Sequence, residues 1–321
     1  MPNAQLKAIA SGPIRCLTSA DLDRVIEIDR QISGASRRGF FENRLAASLN
    51  ETDAFISLAY IENGVVEGHA LAHMLDGEFG GRKRVAVLDA IGTSQSVRGH
   101  GGGRMLVKEL QFAARASGAQ ALRTQALWSN ESMMHFLAAA GFGLGTRIVL
   151  DRPCAKKAGE MRPDDIDADV SQDLAPDRIL VRSLTLADLP SVIGLDREIT
   201  GRDRSVYLRR KVNETLRKNG VRLSMLAEID GTPAGFIMAR VDYGEFGETE
   251  AEAVLDTIGV DSEFQRQNVA TSLLAQMLSQ LSSLRVERLR TVVEWNNTSL
   301  VGFLDRSGFK PTQDLTFALQ L

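Results

Sequence analysis

The sequence has little cysteine, tryptophan or tyrosine, no long apolar run and no surplus of one charge. Its two cysteines, Cys16 and Cys154, stand far apart and outside any Cys-x-x-Cys or Cys/His grouping. That excludes a disulfide framework and a structural zinc site, fits a reducing compartment, and leaves no metal to expect. No stretch approaches the ~20 apolar residues of a membrane-spanning helix, and the opening MPNAQLKAIASGPIRCL lacks the continuous apolar core of a signal peptide. The expectation is a soluble, cytoplasmic protein. Lys plus Arg number 38 against 41 Asp plus Glu, a formal charge of −3 with no block of one sign. A nucleic-acid or anionic-membrane binder would need a basic face, so neither partner is expected. With 321 residues, 44% hydrophobic and 25% charged, there is material for two cores of about 150 residues each.

What the chain does have is an internal repeat. VLDAIGT at 87–93 returns as VLDTIGV at 254–260, a displacement of 167 residues that also superimposes many other positions without a gap. It carries Ala20-Asp21-Leu22 to Ala187-Asp188-Leu189, Asp29-Arg30 to Asp196-Arg197, Gly34 to Gly201, Arg37 to Arg204, and the GEFG of 77–80 to that of 244–247. Near the end of each half, Trp128, Asn130, Phe136, Gly141 and Phe142 fall on Trp295, Asn297, Phe303, Gly308 and Phe309. A tandem duplication of one domain of roughly 140 residues follows. The predicted organisation is a tail at 1–13, a domain at 14–152, a polar linker at 153–178 and a second domain at 179–321.

Each half reads as an α/β unit. Thr18 and Thr185 stand as helix N-caps, with an aspartate in the first turn where its charge suits the helix dipole. A helix and a partly helical segment precede a hairpin around Asn63-Gly64, repeated around Asp230-Gly231. Strands follow at 85–93 and 252–260. Next come a polar loop and a helix with apolar positions Met105, Leu106, Leu110 and Ala113, or Leu273, Leu274, Met277, Leu278 and Leu281. A further strand leads to Trp128 or Trp295, both expected in the core, then a short helix, a Gly-Phe turn and a last strand.

The strand-to-helix loop of the first half is Arg98-Gly99-His100-Gly101-Gly102-Gly103-Arg104. Glycines let backbone approach a bulky anion, and the first N–H groups of the helix have no internal partners, so a phosphate or pyrophosphate is the natural guest. Arg98, Arg104 and Lys108 add positive charge. A Walker A loop would end in Gly-Lys-Ser/Thr, and a dinucleotide fingerprint would have Gly where Arg104 stands; neither is met.

What remains, Arg98-x-x-Gly101-x-Gly103, resembles the pyrophosphate loop of the GNAT superfamily of acyl-CoA-dependent N-acyltransferases. Asn130, a short helix and Gly141-Phe142 resemble that family's closing element, and the resemblance extends over both halves, 14–152 and 180–321. It implies an α/β (α+β) fold class: two tandem domains, each a mixed, mostly antiparallel sheet with helices on both faces and a splayed parallel strand pair. It also implies acetyl-CoA as acyl donor. The donor would lie in the splay, with Ile91, Gly92 and Thr93, or Ile258 and Val260, along its pantetheine. Its phosphates would meet Arg98, Gly99, His100, Gly101, Gly102, Gly103 and Arg104. In the second half the corresponding residues are Gln265, Arg266, Asn268, Val269, Ala270 and Thr271, with Asn268 where the first Gly belongs. Asn tolerates left-handed backbone, so that loop can still form. Charge and glycine content rank the first half as the better CoA site.

The resemblance further implies that a carboxylate takes the proton of an acceptor amine while backbone N–H groups polarise the thioester. Asp89 and Asp256 are the candidates, each two residues before an Ile expected on the same strand face; structural hydrogen bonding is the competing role. The Tyr that the family often uses as an acid is Leu137 or Leu304 here, and His135 on the short helix is expected to face solvent. Asp29, Arg30 and Arg37, with Asp196, Arg197 and Arg204, fall where the family lines its acceptor site, and an ion-pair network is equally open for them. Asn130 and Asn297 can bond pantetheine or cap a helix. Glu78-Phe79 and Glu245-Phe246 can border the acceptor mouth or anchor turns. The expectation is an N-acetyltransferase acting on a small-molecule or peptide amine, as monomer or homodimer. The alternative is a non-catalytic acyl-CoA sensor or interaction protein built from degenerate domains.

Overall fold

A computed structural model of the chain describes residues 12–76, 79, 83–155, 179–215, 222–243 and 251–321. Most of the predicted tail and linker lie outside the described residues, as do Glu78 and the second GEFG turn with Glu245-Phe246. The first half runs β1 (Ile14–Cys16), α1 (Leu22–Ser33), α2 (Arg38–Asn50), β2 (Phe55–Glu62), β3 (Val65–Leu75), β4 (Val85–Thr93), α3 (Gly102–Ala116), β5 (Ala121–Leu127), α4 (Glu131–Ala139), β6 (Gly143–Leu144) and β7 (Arg147–Pro153). The second repeats this as β8 (Ile179–Ser183), α5 (Leu189–Thr200), α6 (Ser205–Thr215), β9 (Arg222–Ile229), β10 (Thr232–Tyr243), β11 (Ala251–Val260), α7 (Val269–Ser283), β12 (Arg288–Glu294), α8 (Thr298–Arg306), β13 (Lys310–Pro311) and β14 (Asp314–Gln320).

Local chemistry accounts for the turns. Asn63 (φ 52°) and Gly64 (φ 80°), like Asp230 (φ 52°) and Gly231 (φ 79°), put two positive-φ residues at the centre of each hairpin, the geometry that matches strand twist. Thr18 and Thr185 each cap a short 3-10 turn that leads into α1 or α5, rather than the α-helix itself. Asp21 accepts from the Thr18 N–H and hydroxyl, both at 2.8 Å, and Arg15 clamps it from the other side at 2.7 Å. The Arg15 guanidinium is the main reason that the Asp21 carboxyl sits at about 2.

The two sheets do not coincide with the two sequence repeats. Strand order is β1-β2-β3-β4-β5-β14-β6 in one and β8-β9-β10-β11-β12-β7-β13 in the other. Each half therefore gives its last long strand to its neighbour: β14 runs antiparallel to β5 from Asp314↔Leu127 to Gln320↔Ala121, and β7 runs antiparallel to β12 from Arg147↔Glu294 to Pro153↔Arg288. The donated strands supply core residues. Phe317 packs with Leu58, Leu88, Leu110 and Leu122 in the first half, and Leu150 and Cys154 pack with Ile237, Leu255 and Leu289 in the second.

The exchanged strands cross where Gly145 precedes β7. Gly145 N–H donates to the Thr316 carbonyl at 2.7 Å, the Thr316 hydroxyl donates to the Arg147 carbonyl at 2.9 Å, and a Cβ on Gly145 would lie 2.7 Å from that hydroxyl. Trp128 and Trp295 are not core residues, contrary to expectation: they are 57% and 59% exposed. Each follows the end of its strand, and its backbone N–H bonds the chain next to the exchanged strand, at Gln313 and Thr146 respectively. Hydrophobicity alone does not forbid an exposed apolar ring.

Candidate active site

The loops after β4 and β11 share one backbone. Gly99 (φ 86°) and Gly101 (φ 85°) are left-handed, and so are Arg266 (φ 63°) and Asn268 (φ 62°) at the equivalent positions. Gly101 and Asn268 are the N-caps of α3 and α7. The expectation that Asn268 permits the loop holds, at a cost glycine does not incur. The neighbouring packing is exchanged in size: Gly102 lies so close to the Tyr60 ring that a Cβ would approach it to 2.8 Å, whereas the second half pairs Val269 with Ala227 at those positions. Around the first loop Arg98, Arg104 and Lys108 are exposed, and α7 carries no basic residue.

Below each loop the sheet parts. The parallel ladder between β4 and β5 ends at Val87↔Arg123, and that between β11 and β12 at Val254↔Arg290. The Thr124 hydroxyl, donating to the Leu88 carbonyl at 2.9 Å, marks the apex, as does Thr291 on Leu255 at 3.1 Å. Beyond it, residues 89–93 and 256–260 have no ladder partner on that side. Asp89 and Asp256 are the extra residues of β-bulges at the apex, since Ala72↔Leu88 is followed by Leu71↔Ala90, and Ala239↔Leu255 by Met238↔Thr257. The bulge corrects the expectation that each aspartate shares a face with the Ile two residues on. Ile91 and Ile258 pack on the core beneath α3 and α7, while the aspartates bond to α2 and α6 on the other side.

Both aspartates are buried, and their surroundings differ. Asp89 faces His73, whose Nδ1 lies 2.7 and 2.9 Å from its two oxygens, and Arg44, whose Nε lies 3.2 Å away. At the equivalent positions Asp256 meets Arg240, hydrogen-bonded to Oδ1, and Lys211 Nζ, 2.8 Å from Oδ2. A cavity of about 260 Å³ lies between the two sheets. Its wall pairs repeat-related residues, His73 with Arg240, Val87 with Val254 and Arg123 with Arg290. Asp256 reaches that wall, and Asp89 sits behind His73. Burial lowers the His73 pKa, opposed by Asp89 and reinforced by Arg44 and Arg240. Sequence reading passed over His73, Arg44, Lys211 and Arg240. For His73 and Arg240 the signal was a polar residue in the apolar strands HALAHML and FIMARVDY at the common displacement, but only the bulged register brings them to the aspartates, and Arg44 and Lys211 come from α2 and α6.

The sequence model of the Acetyltransferase (GNAT) family matches residues 23–142 and again 190–309. The chain belongs to the GNAT family. No curated protein sequence matches closely enough to count as a relative. Among solved structures, a tandem GNAT protein from the clavulanic acid biosynthesis pathway superimposes with a TM-score of 0.66 at 15% identity, over 96% of this chain and 98% of the other. The glucosamine N-acetyltransferase region of a fungal multi-domain GH3 β-N-acetylglucosaminidase gives 0.64 at 14%, over 95% of this chain and 37% of that one. A GCN5-related N-acetyltransferase from Sphaerobacter thermophilus gives 0.57 at 15%, over 96% and 95%. At such identities the likeness is one of fold: two tandem GNAT domains, each with a splayed parallel pair.

Acetyl-CoA, which a GNAT fold implies, fits the residues present. Cβ atoms built on Gly99 and Gly101 meet nothing within 4 Å, so the first loop is open to a ligand, and the β4 backbone beyond Leu88 has no strand partner on the β5 side. Among the described residues no group of His, Cys, Asp and Glu could hold a metal ion, and no helix is long and apolar enough to cross a membrane. The other candidates divide. Asp29 with Arg37 and Asp196 with Arg204 form buried ion pairs that tie the first helix of each half to the segment after it, whereas Arg30 and Arg197 are exposed. Asn130 and Asn297 cap α4 and α8, accepting from the N–H groups of Met133 at 3.1 Å and Leu300 at 3.3 Å. Leu137 and Leu304 are buried in the cores, and His135 is exposed.

Proposed function

We propose that the protein transfers the acetyl group of acetyl-CoA to a primary amine and that its first half holds the CoA. One observation carries the reading: an open, left-handed Gly99–Gly101 turn capping α3 stands above a strand pair that parts at the bulged, buried Asp89. Both loops have that backbone, so charge separates the halves. Arg98, Arg104 and Lys108 surround the first helix N-terminus, where phosphates gain from the helix dipole and from cations together. Ile91, Gly92 and Thr93 would lie along the pantetheine, and the donor would supply an activated acyl group. The buried leucines at 137 and 304 favour one further reading, a CoA-binding protein without turnover, because no acid stands there for the leaving thiolate.

Calorimetric titration of CoA into Gly101→Val and Asn268→Val, with thiol release from acetyl-CoA measured across a panel of primary amines, tests both. Weakening of CoA binding at least tenfold in Gly101→Val alone supports the first half as the site. Weakening in Asn268→Val alone moves the site to the second half. Tight CoA binding without thiol release supports the sensor.

A further inference from the structure

The cavity between the sheets has walls related by the repeat, yet among the described residues that line it only the first half's side carries an imidazole. Resting on the transferase reading, we propose that this cavity is the acceptor site for the first half, that His73 takes the amine's proton there at Nε2 with Asp89 as its positioning residue, and that the second half contributes wall alone.

The hydrogen bonding of His73 sets its tautomer. A carboxylate can only accept, so the Nδ1 that faces both oxygens of Asp89 carries the ring proton, and the lone pair is left on Nε2. Nε2 is buried and has no hydrogen-bond partner among the described residues. A buried polar atom left unpaired costs about 1–3 kcal/mol, and at a cavity wall that cost is explained by a ligand that supplies the partner. The charged groups facing the ring are Asp89 on β4, Arg44 on α2 and Arg240 on β10. Asp89 stabilises the imidazolium once formed, and the two arginines with burial keep the resting ring neutral.

The second half has no counterpart. Arg240 stands where His73 does and does not give up its charge, and the two Asp256 oxygens are bonded by Arg240 and Lys211. The cavity volume, about 260 Å³, suits a small amine or the amine-bearing end of a peptide. In the step, R–NH3+ gives one proton to Nε2 and its freed lone pair forms the C–N bond. The C–S bond breaks with its electrons on sulfur, the second amine proton passes to water, and the thiolate takes the proton from His73.

Four measurements test this. Nitrogen-15 NMR of the intact, ligand-free protein, with the His73 signals assigned by their loss in His73→Gln, is expected to show the Nδ1–H tautomer, and the Nε2–H tautomer would overturn the assignment. With the amines that wild type acetylates, His73→Gln is expected to lose at least 100-fold in kcat with CoA affinity unchanged. Asp89→Asn is expected to lose the Nδ1–H tautomer and displace the acidic limb of the pH profile. Val254→Trp, which fills the cavity from the second half, should raise the amine KM at least tenfold with CoA affinity unchanged. Wild-type kcat and pH profile in His73→Gln overturn the role of His73, and an unchanged KM in Val254→Trp overturns the cavity as acceptor site. Failure of the intact protein to release thiol with any amine, while it binds CoA, overturns the transferase reading and this proposal with it.

Discussion

Thr316, near the end of the chain, donates its hydroxyl to the carbonyl of Arg147, which opens the strand that leaves the first half. At that bond each half hands a strand to the other, and the cores become interdependent.

The dependence predicts where a distant substitution acts. Phe317 is 6% exposed and belongs to the first half's core. Phe317→Ala should cost about 3–5 kcal/mol. Hydrogen exchange should show the loss in amides of β4 and β5, with β11 protection less affected. Loss confined to β11 and β12 would contradict the exchange.

Gly145 sits at the crossing with no room for a side chain. Gly145→Val should destabilise by about 1–3 kcal/mol, since Thr316 backbone and side chain both stand within 3.2 Å of the added Cβ. Chemical denaturation of Gly145→Val beside Gly143→Val, where nothing lies within 4 Å, checks it. Equal losses would show that the effect comes from strand propensity instead.

His69 makes the fold acid-sensitive. It is buried with neither nitrogen hydrogen-bonded among the described residues, edge-on to Phe41 at 5.3 Å, and burial pushes its pKa down to about 4 against an ordinary 6.5. The folded state thus binds fewer protons than the unfolded chain between those values. Stability contributed by neutral His69 is complete above pH 6.5 and falls by about 3 kcal/mol as pH drops to 4. The second half has Phe236 at this position, against Ile199 and Gly259 as His69 lies against Ile32 and Gly92. His69→Phe should remove that share of the pH dependence, seen in denaturant midpoints between pH 4 and 7. An unaltered slope would show that His69 titrates in the fold as it does in the unfolded chain.

Tyr60 with Gly102 and Ala227 with Val269 fill equivalent spaces in opposite ways. Tyr60→Ala should cost about 3 kcal/mol, and adding Gly102→Val should return about 1 kcal/mol of it. A double-mutant cycle by thermal unfolding measures that coupling, and strict additivity would mean that the spaces are not equivalent.

Much of this was written locally in the chain. Asn63-Gly64 and Asp230-Gly231 announce hairpins because their backbone angles suit few other residues, and the glycines of 99–103 announce an anion loop for the same reason. Partner choice is not local. β7 and β14 read as strands from alternation in RIVLDRP and DLTFALQ, yet nothing in those residues says which sheet receives them, because either core offers the same repeat-related groove. The His73–Asp89 contact was hidden likewise: a bulge shifts the register by one residue and so decides which side chains meet.

The position of β14 also orders the life of the chain. A ribosome releases the N-terminal half long before residues 314–320 exist, so the nascent first sheet waits with β5 as an open edge. Its completion waits until residues 314–320 have been synthesised. Until then that edge is a natural client for chaperones, and a premature stop in the second half before β13 would leave both sheets unfinished.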